Sequence, residues 1–181
     1  MSGRLPQTTV LDATVLSNYA TSGSVEYLID ILPRAMVVTT VREELQQGYN
    51  AGYEFLGDAL DLIVSDKPDD EYDIRDNTVI HLKRIHSSRE KIDSNLDPGE
   101  ADSLYHALIN GRVLATDDRD ARQLARELDV PVTGSLGILV RGIKQDKITV
   151  STANEWLSEW QDAGYHSPVD DMRELSDKYT E

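Results

Sequence analysis

The sequence contains no cysteine. That excludes disulfides, thiolate metal sites and a cysteine nucleophile, and leaves oxygen and imidazole chemistry. Nor is there an apolar run approaching the ~18 residues of a spanning helix, or a basic-then-apolar leader. The expectation is a cytoplasmic protein that does not engage a membrane. Positive charge is also scarce: 18 Lys and Arg face 33 acids among 181 residues, for a formal net charge of −15. Internal repeats and low-complexity tracts are absent.

A net charge of this sign opposes nucleic-acid binding on the simplest electrostatic rule. By segment the picture changes. Residues 1–74 carry 13 acids against 4 Lys and Arg, and residues 151–181 carry 8 against 2, but residues 75–150 balance at 12 against 12. An acid-rich, lysine-poor surface fits adaptation to a salty, halophilic environment. There a Debye length of ~3 Å at 1 M salt would mute repulsion from a polyanion.

Length and pattern predict one α/β domain over residues 1–150, with a helical extension over 151–181 packed on it. Buried strands are expected at Thr8–Leu11, Ala35–Thr39, Leu62–Val64, Val113–Ala115 and Val130–Thr133, with helices between them. Ser24 is a candidate cap for a helix ending at Leu32. TVRE at Thr40–Glu43 fits a capping box, as does DPGE at Asp97–Glu100 with Pro98 in the first turn. Ala51–Leu60, Thr78–Ile85, Asp120–Leu128 and Ser135–Lys147 read as further helices, as do Ser151–Ala163 and Pro168–Tyr179. The acidic stretch Asp66–Asp76 reads as a loop, and His81–Lys91 as the densest basic patch.

In open parallel sheets ligands bind beyond the carboxyl ends of the strands, so acids at those ends are site candidates. Asp12 ends the first strand and Asp117 or Asp118 ends VLATDD. Glu44 lies beside the core-facing stripe of its helix, and Asp102 flanks the stripe of the helix that begins at Pro98. Glu100 has a local capping role, and residues two apart point ~200° apart on a helix, so Glu100 and Asp102 are not expected to serve one ion equally. Such a cluster must take up protons or a cation. Mg²⁺ or Mn²⁺ suits an all-oxygen donor set and phosphate chemistry. The four histidines are scattered without a nucleophile at a recognisable spacing, and Ser17 and Ser135 lack a nucleophile-elbow context.

The pieces VLDATVLSNY, TTVREEL, PGEADSLYHAL and VLATDDRDARQLARELDVPVTGSLGIL together resemble the PIN-domain nucleases. Within that family the chain is similar to the VapC-like toxin ribonucleases and their archaeal relatives. The resemblance implies a three-layer α/β/α fold around a five-stranded parallel sheet, here with extra C-terminal helices. It implies Mg²⁺- or Mn²⁺-dependent endoribonuclease activity that leaves a 5′-phosphate and a 3′-hydroxyl. By position it assigns the metal to Asp12, Glu44, Asp102 and Asp118, with Glu100, Asp117 and Thr116 as secondary candidates and Thr14 and Asn18 as supporting groups. It further implies a homodimer and a small antitoxin partner. The alternatives are a catalytically inactive PIN-like binding or assembly module and an aspartate-nucleophile phosphatase. LDATV carries Thr14 where the phosphatase needs its second aspartate.

Overall fold

The computed structural model describes residues 7–32, 34–64, 79–83, 92 and 95–176. The acidic loop 66–76 and most of the basic patch at 84–91 lie outside the described residues. Strand β1 (Thr9–Leu11) is followed by α1 (Ala13–Thr21) and α2 (Val25–Ile31). Next come β2 (Ala35–Val38), α3 (Thr39–Asn50), a single 3₁₀ turn at Glu54–Leu56, α4 (Gly57–Leu62) and β3 (Ile63–Val64). The remaining elements are β4 (Ile80–Lys83), α5 (Pro98–Asn110), β5 (Val113–Ala115), α6 (Arg119–Glu127), β6 (Val132–Thr133), α7 (Ser135–Lys144), α8 (Val150–Asp162) and α9 (Arg173–Ser176).

The described strands form one parallel sheet in the order β3-β4-β2-β1-β5-β6. Strands β1 and β2 are buried at every residue, as expected of parallel strands covered on both faces. Helix α5 packs on β1, β2 and β5, while α1 packs on α2, α7 and α8. The chain leaves β1 in one direction to reach β2 and returns on its other side as β5. This reversal places a topological switch point at the carboxyl ends of β1 and β5, where open α/β sheets bind ligands.

The sheet has six strands where five are expected, because Ile80–Lys83 is a strand and not a helix. Its residues alternate buried and half-buried, and pairing with β2 at Met36–His81 and Val38–Lys83 decides the conformation. Four residues are too few for their period to distinguish the two states. Ala51–Leu60 is divided by a turn and the 3₁₀ segment instead of forming one helix. At the other end, among the described residues of the expected helix 168–179, only Arg173–Ser176 is helical. Before it the Asp171 carboxylate takes the Arg173 N–H at 2.8 Å, and Asn154 holds both Asp171 and the Met172 N–H. Such local side-chain bonds compete with helix formation. Residues 177–181 lie outside the described residues.

Helix α8 reaches the core. Trp160 is 1% exposed, packs against Tyr19 in a tilted pair with ring centroids 4.9 Å apart, and donates its indole N–H to Ser22 at 2.9 Å. It thereby steadies α1, whose first turn faces the switch point.

Candidate metal centre and its supports

Asp12 follows directly on β1, and its backbone N–H continues the ladder to the Ala115 carbonyl at 2.9 Å. The side chain is 1% exposed. One carboxylate oxygen accepts the Ala13 N–H at 2.8 Å; the other accepts the hydroxyls of Thr116 at 2.8 Å and Thr14 at 3.1 Å. A carboxylate offers about four lone-pair positions, so these three bonds fix its orientation and leave room for one further partner. Burial pushes the Asp12 acid up from its ordinary range, against the pull of those three donors, and the charge of Asp118 adds to the rise.

Asp118 ends the turn after β5. It caps α6 by accepting the Ala121 N–H at 2.7 Å, and its own N–H donates to Thr116 Oγ1 at 3.2 Å. Its neighbour turns the other way. Asp117 accepts the Ser135 N–H at 2.8 Å and the Asn18 amide at 3.0 Å, and takes the Ser135 hydroxyl as well. Adjacent side chains leaving a strand point to opposite sides, and here the two aspartates divide between the neighbourhood of Asp12 and the start of α7.

Glu44 is half-buried on α3. Burial raises its acid, partly offset by the hydrogen bond from the Gly99 N–H at 3.0 Å, with Asp12, Asp97 and Asp102 adding to the rise. A Cβ on Gly99 would stand 2.6 Å from the nearer Glu44 oxygen, so only glycine lets the carboxylate approach the first turn of α5. Asp102, on the next turn, is 8% exposed and receives the Thr40 hydroxyl. That bond replaces the capping box expected of Thr40: α3 begins at Thr39 with Val38 as its cap, and Glu43 is exposed.

The box at α5 does form, with Glu100 accepting the Asp97 N–H at 3.1 Å. Capping does not remove Glu100 from the cluster. Burial, opposed by that N–H and reinforced by the charges of Asp12 and Asp118, lifts its acid to about 7. The charge of Asp118 thus acts on Asp12, that of Asp12 on Glu44 and Glu100, and that of Asp102 on Glu44.

The PIN-domain family model matches residues 8–181. The chain belongs to the PIN-domain family. Its parallel sheet with flanking helices is the α/β fold of that family, a nuclease-type fold. No curated protein matches this PIN-domain chain. No helix among the described residues is long and apolar enough to cross a membrane.

The donor set of this PIN domain suits a divalent ion on chemical grounds. Its acids are all oxygen donors, neighbouring carboxylates add to the raised acids of Asp12, Glu44 and Glu100, and a hard cation relieves such repulsion. Among the described residues no three Asp, Glu or His side chains form a ready-made ligand group. Sequence reasoning missed three supports, namely the Thr40 hydroxyl on Asp102, the Gly99 cradle for Glu44 and the Ser135 bonds to Asp117. Only Gly99 left a signal, since a glycine in a helical turn costs about 1 kcal/mol relative to alanine and calls for a reason.

Proposed function

We propose that this PIN domain is a metal-dependent endoribonuclease, with Asp12, Glu44, Asp102 and Asp118 holding Mg²⁺ or Mn²⁺ directly or through water. Glu100 and Thr116 stand beside that set, and Asp117, Thr14 and Asn18 orient it. The observation that carries the reading is the buried Asp12 at the switch point, its acid raised by burial and by Asp118 while Glu44 and Glu100 are raised in turn by Asp12. When bound, the ion supplies charge neutralisation at the phosphate and an activated water as nucleophile.

The chain's own residues then have separable tasks. Thr116, Thr14 and the Ala13 N–H hold the Asp12 carboxylate in one orientation. The Gly99 N–H and the Thr40 hydroxyl do the same for Glu44 and Asp102. Glu100 accepts the Asp97 N–H and feels the charges of Asp12 and Asp118, so it stands beside the proposed ligands as a further oxygen donor. A toxin role with a small antitoxin and a homodimer, in a halophilic archaeal cytoplasm, extends the same reading from the sequence resemblance and the acidic excess.

A labelled single-stranded RNA incubated with Mn²⁺ tests it. Cleavage to 5′-phosphate ends that is lost in Asp12→Asn and in excess chelator supports the reading. Metal-independent cleavage, or full activity in Asp12→Asn, overturns it. A folded chain that binds RNA and cleaves none favours the inactive binding module.

A further inference from the structure

The three residues after β5 are gripped from several elements at once. Arg122 of α6 donates to the Thr116 carbonyl at 3.0 Å. The Asp117 N–H donates at 3.2 Å to the Thr14 hydroxyl, which itself donates to Asp12. The Asp117 carboxylate takes the N–H and hydroxyl of Ser135, from α7, and the side-chain amide of Asn18, from α1. A carboxylate offers about four lone-pair positions, so these three donors leave one to fill.

The remaining donor comes from the C-terminal extension. Just past α8 stands Gly164, whose φ of +103° is a conformation that favours glycine. The chain reverses there, so that the Tyr165 N–H returns to the Trp160 carbonyl at 2.8 Å. The Tyr165 ring is set edge-on to Trp160, with centroids 5.9 Å apart. Trp160 packs in turn on Tyr19, and the Tyr19 hydroxyl donates to the Ser135 carbonyl at 3.2 Å. This run of rings brings Tyr165 to a hollow that it lines together with Asp117, Arg122 and Gly134. Its hydroxyl donates to the Asp117 carboxylate there. Burial, the Asp117 charge and that bond hold the tyrosine's acid above its ordinary range, against the pull of Arg122.

Resting on the nuclease reading, we propose that Tyr165 is a positioning residue of the metal centre. Its hydroxyl completes the set of donors around Asp117, which fixes the turn from Thr116 to Asp118 and so holds the Asp118 carboxylate beside Asp12. Asp117, with all its positions taken, is an anchor and not a ligand. The extension is thereby a working part of the site, although Tyr165 lies 47 positions from Asp118 in the chain.

Tyr165→Phe keeps the ring on Trp160 and removes only the hydroxyl. In the metal-free protein, hydrogen exchange is read by NMR at the amides of Ser135, Asp118 and Ala121, which bond to Asp117, Thr116 and Asp118. Exchange at these amides should quicken about tenfold, the scale of one lost hydrogen bond to a charged group. Calorimetry should show Mn²⁺ affinity falling ~10-fold, the lower end for loss of a group that supports metal ligands. The Mn²⁺ half-saturation of RNA cleavage should rise by the same factor while KM for RNA stays unchanged. A tyrosine that only packs its ring would move none of these in the phenylalanine variant. His166→Ala, on an exposed residue of the same hollow, should keep wild-type values throughout. Wild-type exchange and Mn²⁺ affinity in Tyr165→Phe, or equal losses in His166→Ala, would overturn the proposal. If the wild type binds Mn²⁺ and cleaves RNA while Tyr165→Phe matches it, the positioning role alone is rejected. Quickened local exchange in a chain that binds no Mn²⁺ and cleaves no RNA supports the hold of Tyr165 on the turn and rejects the nuclease reading alone.

Discussion

Thr116 donates its hydroxyl to the Asp12 carboxylate at 2.8 Å, bridging the ends of β5 and β1. Thr116 is wholly buried, and its oxygen also accepts the Asp118 N–H. One hydroxyl thus joins the two acids that flank the switch point. In Thr116→Val the shape persists while Asp12 loses a donor and the Asp118 amide loses its acceptor. A cost of about 1–3 kcal/mol follows from leaving buried polar groups unpaired, together with weaker Mn²⁺ binding. Thr116→Ser should restore most of both. Denaturant unfolding and metal titration of the two variants check this, and equal values in Val and Ser would contradict it.

Gly99→Ala separates site geometry from stability. The added methyl meets the flexible end of Glu44, which can swing aside at little cost, and alanine is the better helix former by about 1 kcal/mol. The variant should keep or gain stability while Mn²⁺ affinity and RNA cleavage fall together. Unimpaired cleavage with Ala at this position would show that Glu44 need not stand where Gly99 admits it.

The adjacent aspartates should respond oppositely to amidation. An asparagine at 118 still offers an oxygen to the Ala121 N–H, so Asp118→Asn should fold normally and lose cleavage. Asp117→Asn presents an amide N–H₂ to donors on Ser135 and Asn18, and should lose about 1–3 kcal/mol of stability. Thermal unfolding of both proteins, read beside their activity, distinguishes the roles. The reverse pattern would exchange the two assignments.

His106 gives the fold a pH dependence away from the site. It is 4% exposed, and its Nε2 lies 2.8 Å from the Arg112 guanidinium. A guanidinium only donates, so that nitrogen must be unprotonated. Burial, then the charges of Arg112 and Lys83, lowers its pKa to about 4. The unfolded chain, near pH ~6.5 for histidine, takes up its proton first as pH falls. The stability this residue contributes is therefore present above ~6.5 and lost as pH drops through about 4. The raised acids Asp12, Glu44 and Glu100 act in the opposite sense. Unfolding free energies at several pH values should therefore fall more steeply toward acid in wild type than in His106→Gln, and parallel curves would contradict the assignment.

Much of this site is written in local sequence because its anchors are local. Asp12 and Asp118 each follow a short buried strand, and Asp97–Glu100 carries its own capping box. What escaped is long-range. Thr40 looks like a cap for its own helix but serves Asp102 across 62 positions. Glu100 looks fully employed as a cap, yet it feels Asp12 and Asp118. Ile80–Lys83 is a strand because β2 offers it a ladder, a partner that four residues of pattern do not announce. That Ser135 and Asn18 take up Asp117 depends on where α7 and α1 meet.

If the acids around Asp12 hold a divalent ion, titration calorimetry of Mn²⁺ will register it. Wild type should bind Mn²⁺ saturably, with binding lost or sharply weakened in Asp12→Asn and Asp118→Asn and retained in a distant control such as Asp30→Asn. Absence of saturable binding to the folded wild type, or binding of equal strength in Asp12→Asn, would contradict the account.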